Sequence, residues 1–563
     1  MAVCAVLHTA GTPAKRDTPD VSSIPKIALA QVNPTVGDLD GNAALVSEWT
    51  ALAQSAGAGI VVFPELVLTG YPAEDLYLRP DFVTAAGERL REVAEGIGDI
   101  TAVIGFPDPV GNPVGRAIAA NATAVVSNGE IKSVYRKRLL PNYGVFDEYR
   151  TFRNGADPLV TEAAGSSLGI TICEDCWDPD SPVFSDLAPG ADLIINSSAS
   201  PYHRGKGRER EEIFRRVATA KGVPVAMVNM VGGQDELIFD GSSALIAPDG
   251  SVLTRAGQFT EDLLVYDPGE SSAPVAAWMD DLDEVYTALV TGLRDYVVKN
   301  GFKHVGLGLS GGIDSALVAA IAADALGPEQ VTCVVMPSPH SSGETQGDAR
   351  EMAHRLGTGL IEFSIEETMA SYDRLLGEDA GGLAAENLQA RIRGNLMMAL
   401  SNSRGWLVLT TANKSETSVG YSTLYGDMAG GLAPIKDVPK TLVYELCRHR
   451  NGSSPVIPES IITRPPSAEL RPGQLDTDSL PDYDQLDRIL RMYVEDDLGP
   501  AEIASRGEDP AVVADVIAKV DRAEYKRRQS PPGLKVTTKG FGRDRRMPIT
   551  NRYRPWTADT DSA

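Results

Sequence analysis

The stretch HVGLGLSGGIDSALVAAIAADAL, residues 304–326, joins an apolar strand to an apolar helix through a glycine turn. In such a unit, backbone N–H groups of the turn and of the first helical turn can bind a phosphate. A Walker loop would place a lysine after the glycines, whereas Asp314 and Ser315 stand here. Taken alone, such a turn is usually only structural. Together with a second polar cluster, it predicts a phosphate site in which Asp314 holds Mg²⁺ and pyrophosphate leaves as a unit.

The second cluster is WLVLTTANKSETSVGYSTLYGD, residues 406–427, which again places polar side chains directly after an apolar strand. Glu416 and Asp427 supply further carboxylates. In a parallel sheet the carboxyl ends of the strands share one edge, so these acidic residues are expected to face the same site as Asp314. A second acidic residue at that edge is what a magnesium–triphosphate complex requires.

The rhythm of apolar runs divides the chain into two units. Residues 24–267 contain short apolar runs separated by helical patterns, which predicts an α/β layered domain. Pro, Ser and Gly interrupt this rhythm in PGESSAPVAAWMDD, residues 268–281, which is interpreted as a linker. Residues 282–563 begin with strands that alternate with helices, which predicts a doubly wound parallel sheet, and end with a proline-rich loop, two short helices and a basic tail. Residues 1–23 are interpreted as a disordered leader.

The composition excludes several classes of protein. The 563 residues carry a net charge of −25, which opposes binding of a polyanion and argues against a nucleic-acid partner. No apolar run approaches the roughly 20 residues that span a bilayer, so no membrane partner is expected. The five scattered cysteines are odd in number, which favours a reducing compartment and a cytoplasmic location. The length suffices for an enzyme with more than one core.

Three reactive side chains follow predicted strands in the first unit: Glu65 in FPEL, Lys137 in YRKRLLPNYG and Cys173 in ITICEDCW. Singly, they suggest a cap, a solvated lysine and a buried thiol. Together they supply a base, a cation for a developing oxyanion and a nucleophile, which are the parts that acyl transfer needs. The CxxC spacing of CEDC would also suit zinc or a redox pair, but no second pair or histidine cluster accompanies it.

These motifs resemble the nitrilase superfamily, whose Glu-Lys-Cys triad hydrolyses amides. The resemblance implies an α-β-β-α sandwich in which Glu65 is the general base, Lys137 stabilises the oxyanion and Cys173 forms a thioester. It also implies that Glu148 is a second, supporting carboxylate. The string LPNYGVFDEYRTF is similar to the glutaminase branch that feeds ammonia to a synthetase. In that branch glutamine would be held by Tyr143, Glu174, Ser200 and Lys206, with Arg208 as the alternative to Lys206.

In the second unit, SGGIDSA followed by TTANKSE resembles the N-type ATP pyrophosphatases, whose sheet is adenine nucleotide α-hydrolase-like. With ENLQARIRGNLMM, YGDMAGGLAPIKDVPKT and PPSAELRPGQLDTDSLPDYDQLD, the chain resembles the glutamine-dependent NAD synthetase family over residues 26–556. The resemblance implies that ATP adenylates the nicotinate carboxylate of deamido-NAD and that ammonia then displaces AMP. It also implies that deamido-NAD lies at a subunit interface, and hence a homodimer at least, with an octamer as a larger assembly.

The same resemblance assigns residues to ligands by motif. ATP would contact Ser310, Gly311, Gly312, Asp314, Ser315 and Thr411. Mg²⁺ would be held by Asp314, Glu416 and Ser467. Deamido-NAD would contact Asn387, Arg391, Asp427, Lys440 and Lys539. The last of these belongs to the basic cluster KVTTKGFGRDRRMPITNRYRP, which is interpreted as a loop that closes over phosphates, with a solvated tail as the alternative.

Ammonium has no lone pair with which to attack an acyl-adenylate, so the nitrogen must travel as neutral ammonia. This requirement predicts a dry tunnel from Cys173 to the site of Asp314, and glutaminase activity that rises when the synthetase site is occupied. One alternative keeps both units but changes the acceptor to a purine or a tRNA base. A second alternative is a catalytically silent scaffold that senses nucleotide or glutamine.

Overall fold

The computed structural model describes residue 21 and residues 24–554, apart from 115–116, 179, 188–189 and 271–272. Except for Val21, the leader predicted at residues 1–23 lies outside the described residues. The first unit has the strands β1 (Ile27–Gln31), β2 (Ile60–Val62), β3 (Thr101–Val114), β4 (Ala117–Ser127), β5 (Glu130–Arg136), β6 (Leu159–Ala163), β7 (Ser166–Ile172), β8 (Leu193–Ser198), β9 (Val225–Asn229), β10 (Val231–Gln234), β11 (Leu237–Asp240), β12 (Ala244–Ile246), β13 (Val252–Arg255) and β14 (Asp262–Tyr266). Its α-helices are α1 (Leu39–Ser55), α2 (Pro80–Gly96), α3 (Glu148–Thr151), α4 (Pro182–Leu187) and α5 (Lys206–Lys221), and 3-10 helices lie at Glu74–Leu78 and Cys173–Cys176.

Two six-stranded sheets pack face to face in this unit, with the strand orders β14-β1-β2-β3-β4-β5 and β13-β12-β9-β8-β7-β6. Successive side chains of a strand point to opposite faces. In β1, Ala28 and Ala30 therefore pack against α1 and α2, while Ile27 and Leu29 face the second sheet. The outer face of the second sheet packs against α5, for example through Met227. The predicted α-β-β-α sandwich is confirmed.

The second unit is built on a four-stranded sheet. Its α-helices and strands are α6 (Asp281–Lys299), β15 (Val305–Gly308), α7 (Ile313–Leu326), β16 (Val331–Val335), α8 (Gly343–Leu356), β17 (Gly359–Glu362), α9 (Glu366–Leu376), α10 (Leu383–Arg404), β18 (Leu407–Leu409), α11 (Lys414–Val419), α12 (Lys440–Ser453), α13 (Glu459–Thr463), α14 (Tyr483–Leu490), α15 (Pro500–Ser505), α16 (Pro510–Arg522) and α17 (Glu524–Arg527). Short 3-10 helices lie at Pro328–Gln330, Gly377–Ala380 and Asp476–Asp478, and Arg491–Glu495 is a π-helix.

All four strands of this sheet are parallel, in the order β17-β16-β15-β18. Helices α7 and α8 cover one face, and α10 covers the other through Met397, which packs with Val334 and Val408. The chain reverses its direction of winding between β15 and β18, and ligands of doubly wound sheets bind at such a switch point. The predicted doubly wound sheet is confirmed, and the two polar motifs follow these two strands.

The region after the sheet contains more helix than the two short helices predicted from sequence. Helices α14, α15 and α16 pack together through buried Leu486, Ile503 and Val516. Pro500 and Pro510 each occupy the first turn of a helix. Proline is favoured at this position because an N–H group there would have no intrahelical acceptor, so its absence costs no hydrogen bond. Within the segment predicted as a proline-rich loop, α13 begins directly after Pro458 and α14 begins at Tyr483.

Helix α6 packs against the β10–β11 hairpin and so joins the two units. The Lys299 ammonium donates to Asn33 Oδ1 at 2.7 Å, to the Pro34 carbonyl at 3.0 Å and to the Gly233 carbonyl at 2.9 Å. The Asp295 carboxylate accepts from Asn33 Nδ2 and from the Gly233 amide, each at 2.7 Å. These charged groups satisfy loop backbone of the first unit, so the contact fixes the relative position of the two units.

The segment predicted as a linker runs along the first unit. The Pro274 carbonyl accepts from the Thr254 hydroxyl at 2.6 Å, and Val275 forms a bridge with Arg255. The Trp278 ring lies under the Arg255 guanidinium, with 4.6 Å between the guanidinium carbon and the ring centroid. Within the described residues, no helix combines the length and the apolar character needed to cross a bilayer.

Residues 533–544, called the C-terminal segment below, return from the second unit to the first. The Lys535 amide donates to the Glu236 carbonyl at 2.8 Å, and the Arg204 amide donates to the Val536 carbonyl at 2.9 Å. On the other side, Asp437 of the second unit accepts from the Val536 amide at 2.9 Å. This C-terminal segment therefore contacts both units at once.

Candidate active sites

Cys173 lies at the point where β7 ends and a short 3-10 helix begins. Its φ is +39°, in the left-handed region that is strained for a residue with a side chain and that is common at functional sites. The neighbouring Asp175 carboxylate holds this turn by accepting from the Ile172 amide at 3.0 Å and from the Leu139 amide at 2.9 Å. Burial raises the pKa of Asp175 to about 6. The local fold thus presents the thiol at the end of a strand.

Lys137 lies between the two carboxylates that were predicted with it. Its Nζ is 2.7 Å from Glu65 Oε1 and 2.9 Å from Glu148 Oε2, and the three side chains are almost completely buried. Burial alone would lower the pKa of Lys137, but Glu148 and Glu65 hold it well above its usual value. Burial raises the pKa of Glu148 to about 7, against the opposing effect of Lys137. A permanent cation therefore stands beside the cysteine.

Two groups orient the Glu65 carboxylate. Asn121 Nδ2 donates to Oε1 at 2.6 Å, and the Ala199 amide donates to Oε2 at 3.0 Å. Burial and the negative charge of Glu65 raise the pKa of the Cys173 thiol, while Lys137 acts in the opposite direction. The thiol is therefore neutral at rest, and it needs a base at the moment of reaction.

The residues predicted to hold glutamine lie around this cluster. The Tyr143 hydroxyl donates to Glu174 at 2.8 Å, and the Lys206 ammonium lies 4.0 Å from the centroid of the Trp177 ring. Ser200 is buried, and its amide donates to a neighbouring side chain at 2.8 Å. The alternative to Lys206, Arg208, instead contacts Glu284 of α6 at 3.3 Å, at the junction of the units.

At the second site, the turn after β15 requires glycine at position 311. Its φ is +84°, and a Cβ atom there would lie 2.2 Å from the Thr345 carbonyl oxygen. The Ser310 hydroxyl accepts from the Gly312 amide at 3.2 Å and lies 3.2 Å from the Ser315 hydroxyl. These contacts hold the turn open in front of α7, as the predicted phosphate site requires.

Asp314 and Glu416 converge as predicted at the edge of the sheet. Asn413 joins them, because its Nδ2 donates to Asp314 Oδ1 at 2.8 Å and its Oδ1 accepts from the Glu416 amide at 2.9 Å. Lys440 Nζ lies between the carboxylates, 2.5 Å from Asp314 and 3.0 Å from Glu416. Burial raises the pKa of Glu416 to about 7, while Lys440 opposes this effect. Lys440, assigned by resemblance to deamido-NAD, thus contacts both predicted metal ligands.

A cavity of about 330 Å³, called the nucleotide cavity below, opens in front of these residues. The predicted site residues that line it are Ser310, Gly311, Gly312, Asp314, Ser315, Thr411, Glu416, Asp427, Lys440 and Ser467. Burial raises the pKa of Asp427 to about 6. The predicted ATP and metal residues therefore share one cavity with part of the set assigned to deamido-NAD.

Three residues assigned to deamido-NAD do not line this cavity. The Asn387 amide oxygen accepts from the Thr423 hydroxyl at 2.8 Å, behind the cavity wall. Arg391 is exposed, and its Nε donates to the Leu424 carbonyl at 3.2 Å. Lys539 Nζ forms an ion pair with the Asp497 carboxylate of the second unit at 2.5 Å. The segment that carries Lys539 lies at the junction of the units in this structure.

Two family models match the chain: carbon-nitrogen hydrolase over residues 26–268 and NAD synthase over residues 285–530. The glutamine-dependent NAD(+) synthetase of Thermotoga maritima is 45% identical, with 94% of this chain and 99% of that protein covered. The protein of the same name from Synechocystis is 46% identical with the same coverage. The chain belongs to the glutamine-dependent NAD(+) synthetase family.

A solved synthetase of this family, from Acinetobacter baumannii in complex with adenosine diphosphate, is 42% identical. It superimposes with a TM-score of 0.74 over 95% of this chain and 99% of that one. The synthetase from Cytophaga hutchinsonii superimposes with a TM-score of 0.79 at 24% identity, over 94% of this chain and 98% of that one, and supports the fold alone. Both predicted halves are thus found together in synthetases of similar length.

Sequence reasoning missed two asparagines in this synthetase. Asn121 interrupts the run AIAANATAVVS in β4 and is completely buried. A side-chain amide in the middle of a buried apolar strand needs a hydrogen-bond partner, and its presence in that run could have indicated a nearby polar site. Asn413 stands in the quoted motif TTANKSE but received no role. Each asparagine fixes one of the carboxylates assigned to catalysis or metal binding.

Proposed function

We propose that the protein synthesises NAD⁺ from deamido-NAD, with ATP as the activating substrate and glutamine as the nitrogen donor. The observation that carries this proposal is the presence of two intact polar clusters, around Lys137 and around Lys440, in one chain that matches the family over nearly its whole length. We place the glutaminase in residues 24–267, a linker at residues 268–281 and the synthetase in residues 282–563.

In the glutaminase step, Glu65 removes the proton from the neutral Cys173 thiol, and the sulfur attacks the carboxamide carbon of glutamine. Lys137 stabilises the oxyanion that develops on the amide oxygen, and Glu148 holds this lysine in place. The leaving nitrogen takes the proton back from Glu65 and departs as ammonia. Water then hydrolyses the thioester to glutamate. Glutamine is held by Tyr143, Glu174, Ser200 and Lys206.

In the synthetase step, the nicotinate carboxylate attacks the α-phosphorus of ATP, which forms an acyl-adenylate and releases pyrophosphate. The turn of Ser310, Gly311, Gly312, Asp314 and Ser315 binds the departing pyrophosphate through backbone N–H groups, and Thr411 contacts ATP. Ammonia adds to the acyl carbon, AMP leaves, and one proton is lost. Deamido-NAD is held by Asp427 and Lys440 in the nucleotide cavity and by Asn387, Arg391 and Lys539 outside that cavity.

The donor set in the nucleotide cavity fits Mg²⁺. This ion is commonly held by one or two carboxylates and by the phosphates of the substrate, and Asp314 and Glu416 face the same cavity. Ser467 also lines it, although its hydroxyl donates to the Gln474 carbonyl at 2.5 Å. When bound, the ion supplies positive charge against the triphosphate. Lys440 keeps the two carboxylates close together despite their mutual repulsion.

A series of small cavities between the two sites supports the proposed route for ammonia. Cavity A, of about 20 Å³, is lined by Tyr71 and by Glu148 of the glutaminase cluster. Cavity B, of about 30 Å³, shares the wall residues Val145 and Leu237 with cavity A. Both are of the size that holds one small molecule such as water or ammonia. They lead from the glutaminase to the junction of the units.

The route continues on the synthetase side. Cavity C, of about 10 Å³, shares Lys436 with cavity B. It also shares Thr410 and Ala412 with the nucleotide cavity. Each cavity thus shares one or two wall residues with the next. We propose that ammonia passes through cavities A, B and C within one chain.

Assembly as a homodimer or a larger oligomer is supported by an exposed apolar surface on α9 and α10. Leu375 is 81% exposed and Leu383 is 71% exposed, and Leu376 and Met398 lie in the same two helices with lower exposure. Arg391, assigned to deamido-NAD, also lies on α10. A cytoplasmic location is supported by the free thiols of the described cysteines, Cys173, Cys176, Cys333 and Cys447.

The test is to incubate the purified protein with glutamine, Mg-ATP and deamido-NAD, and to omit each in turn. NAD⁺, AMP, pyrophosphate and glutamate should appear in equal amounts only in the complete mixture. Absence of NAD⁺ would exclude the proposal. Pyrophosphate release with a purine or tRNA acceptor in place of deamido-NAD would instead support the alternative amidotransferase.

A further inference from the structure

Lys436 lies where the two units and two of the small cavities meet. It is the wall residue shared by cavities B and C. Its Nζ donates to the Pro531 carbonyl at 2.6 Å, and no described carboxylate forms an ion pair with it. The aliphatic part of Lys436 leaves no room for a side chain at Gly533, since a Cβ atom there would lie 2.3 Å from Lys436 Cβ. The chain thus places a partly buried cation without an ion-pair partner in this wall.

Charged groups of both signs line the two cavities around Lys436: Glu236, Asp437, Lys535, Arg543 and Asp544 in cavity B, and Lys526 and Arg527 in cavity C. Burial, together with the positive charge of Arg527 of α17, lowers the pKa of Lys436 from its usual value to about 8. Glu236 of the first unit, Asp437 of the same loop and Glu524 of α17 raise it. The ammonium form therefore predominates at pH 7 and is lost as the pH rises through about 8.

We propose that Lys436 is the charge-selective gate of the ammonia route. Neutral ammonia passes the lysine, whereas an ammonium ion meets a like charge at the one described residue that lines both cavity B and cavity C and is excluded. The gate keeps solution ammonium out of the route and disfavours protonation of ammonia in transit. This inference rests on the proposed function and assigns a specificity-determining residue to it.

The test compares the wild type with Lys436→Met and Lys436→Gln, which remove the charge, and with Lys436→Arg, which retains it. Lys519→Met is the control, since Lys519 pairs with Asp515 at 2.6 Å away from the cavities. Each protein receives unlabelled glutamine, Mg-ATP and deamido-NAD together with ¹⁵N-ammonium chloride. Mass spectrometry measures ¹⁵N in the carboxamide of NAD⁺, and the ratio of NAD⁺ to glutamate is followed in parallel.

At pH 7, the Met and Gln variants should form about fivefold less NAD⁺ per glutamate and should incorporate at least about fivefold more ¹⁵N than the wild type. Lys436→Arg and the control should retain low incorporation. The differences in ¹⁵N incorporation and in NAD⁺ per glutamate between the wild type and the neutral variants should shrink above pH 8, because the wild-type lysine becomes neutral there. With saturating ammonium as the only nitrogen donor, all variants should match the wild type, which shows that they are folded.

Unchanged ratio and labelling in both neutral variants at pH 7 would overturn the gate. Loss of ammonium-dependent synthesis in both would also overturn it, because the lysine would then serve the synthetase itself. A wild type that makes no NAD⁺ from glutamine would refute the proposed function instead, so the two failures are distinguishable.

Discussion

The two proposed catalytic centres each hold a lysine between two carboxylates, yet they differ in access. Lys137 and its partners Glu65 and Glu148 have side chains that are at most 4% exposed. Lys440 is equally buried, but Asp314 and Glu416 are each 17% exposed and face a cavity of about 330 Å³. The first centre is closed around one developing charge. The proposed reaction requires the second to admit two nucleotides and an ion, and its carboxylates are open to the cavity.

The largest expected effect separates the two centres completely. Cys173→Ala should reduce NAD⁺ synthesis from glutamine at least about 10⁴-fold, because it removes the proposed nucleophile of the thioester. Synthesis from ammonium chloride should be unchanged, since the nucleotide cavity lies in the other unit. The measurement is the rate of NAD⁺ formation with each nitrogen donor, with Cys333→Ala as the control for a buried thiol. Loss of both activities would contradict separate centres.

Removal of the second lysine should have the opposite pattern. Lys440→Met leaves Asp314 and Glu416 adjacent and unpaired, so synthesis from either nitrogen donor should fall by about 10²–10³-fold. Glutamate release without nucleotides should persist. Thermal unfolding of the variant, compared with exposed Lys132→Met, checks that the fold survives. An unchanged rate with ammonium would show that this lysine is not needed at the nucleotide cavity.

A smaller effect should reveal the role of the second carboxylate of the closed centre. Because burial raises the pKa of Glu148 to about 7, this group is ionised above pH 7 and becomes protonated as the pH falls through that value. Its hold on Lys137 weakens on protonation, so glutaminase activity should decline below pH 7. Glu148→Gln should lower the rate about 10²-fold and remove this decline. The pH profile of glutamate release measures both effects, with exposed Glu130→Gln as the control.

The smallest expected effect concerns orientation of the base. Asn121→Ala removes the amide that donates to Glu65 at 2.6 Å, so glutaminase kcat should fall by about tenfold, corresponding to one hydrogen bond to a charged group. KM for glutamine should remain the same, because the amide contacts the base. Asn300→Ala at the end of α6 is the control. A change in KM with kcat unchanged would instead place Asn121 in glutamine binding.

The closed centre could be predicted from sequence more fully than the open one. Glu65, Lys137 and Cys173 follow strands of two sheets that face each other, so their convergence follows from the layered fold. Contacts such as Asn121 with Glu65 depend on strand order and register, which local patterns do not contain.

At the open centre, the positions of Asp314 and Glu416 followed from parallel strands. The contact of Lys440 with both carboxylates did not, because it depends on where the first turn of α12 lies relative to α7 and α11. Helix α13, which begins directly after Pro458 inside the segment predicted as a loop, was missed for a different reason. Proline both ends and starts helices, and local sequence alone does not decide between the two.

The C-terminal segment gives the two units a further non-covalent connection, besides the contact of α6 with the first unit and the continuous backbone near residue 270. Its pairing through Lys535 and Val536 with the first unit would persist if the chain were cut between the units. A nicked protein should therefore stay associated as two fragments, as complementing halves do. Deleting the C-terminal segment, by contrast, would remove these hydrogen bonds and leave the two units joined by the backbone. Replacing either unit by a homologous one would therefore also require a matching contact surface for the C-terminal segment.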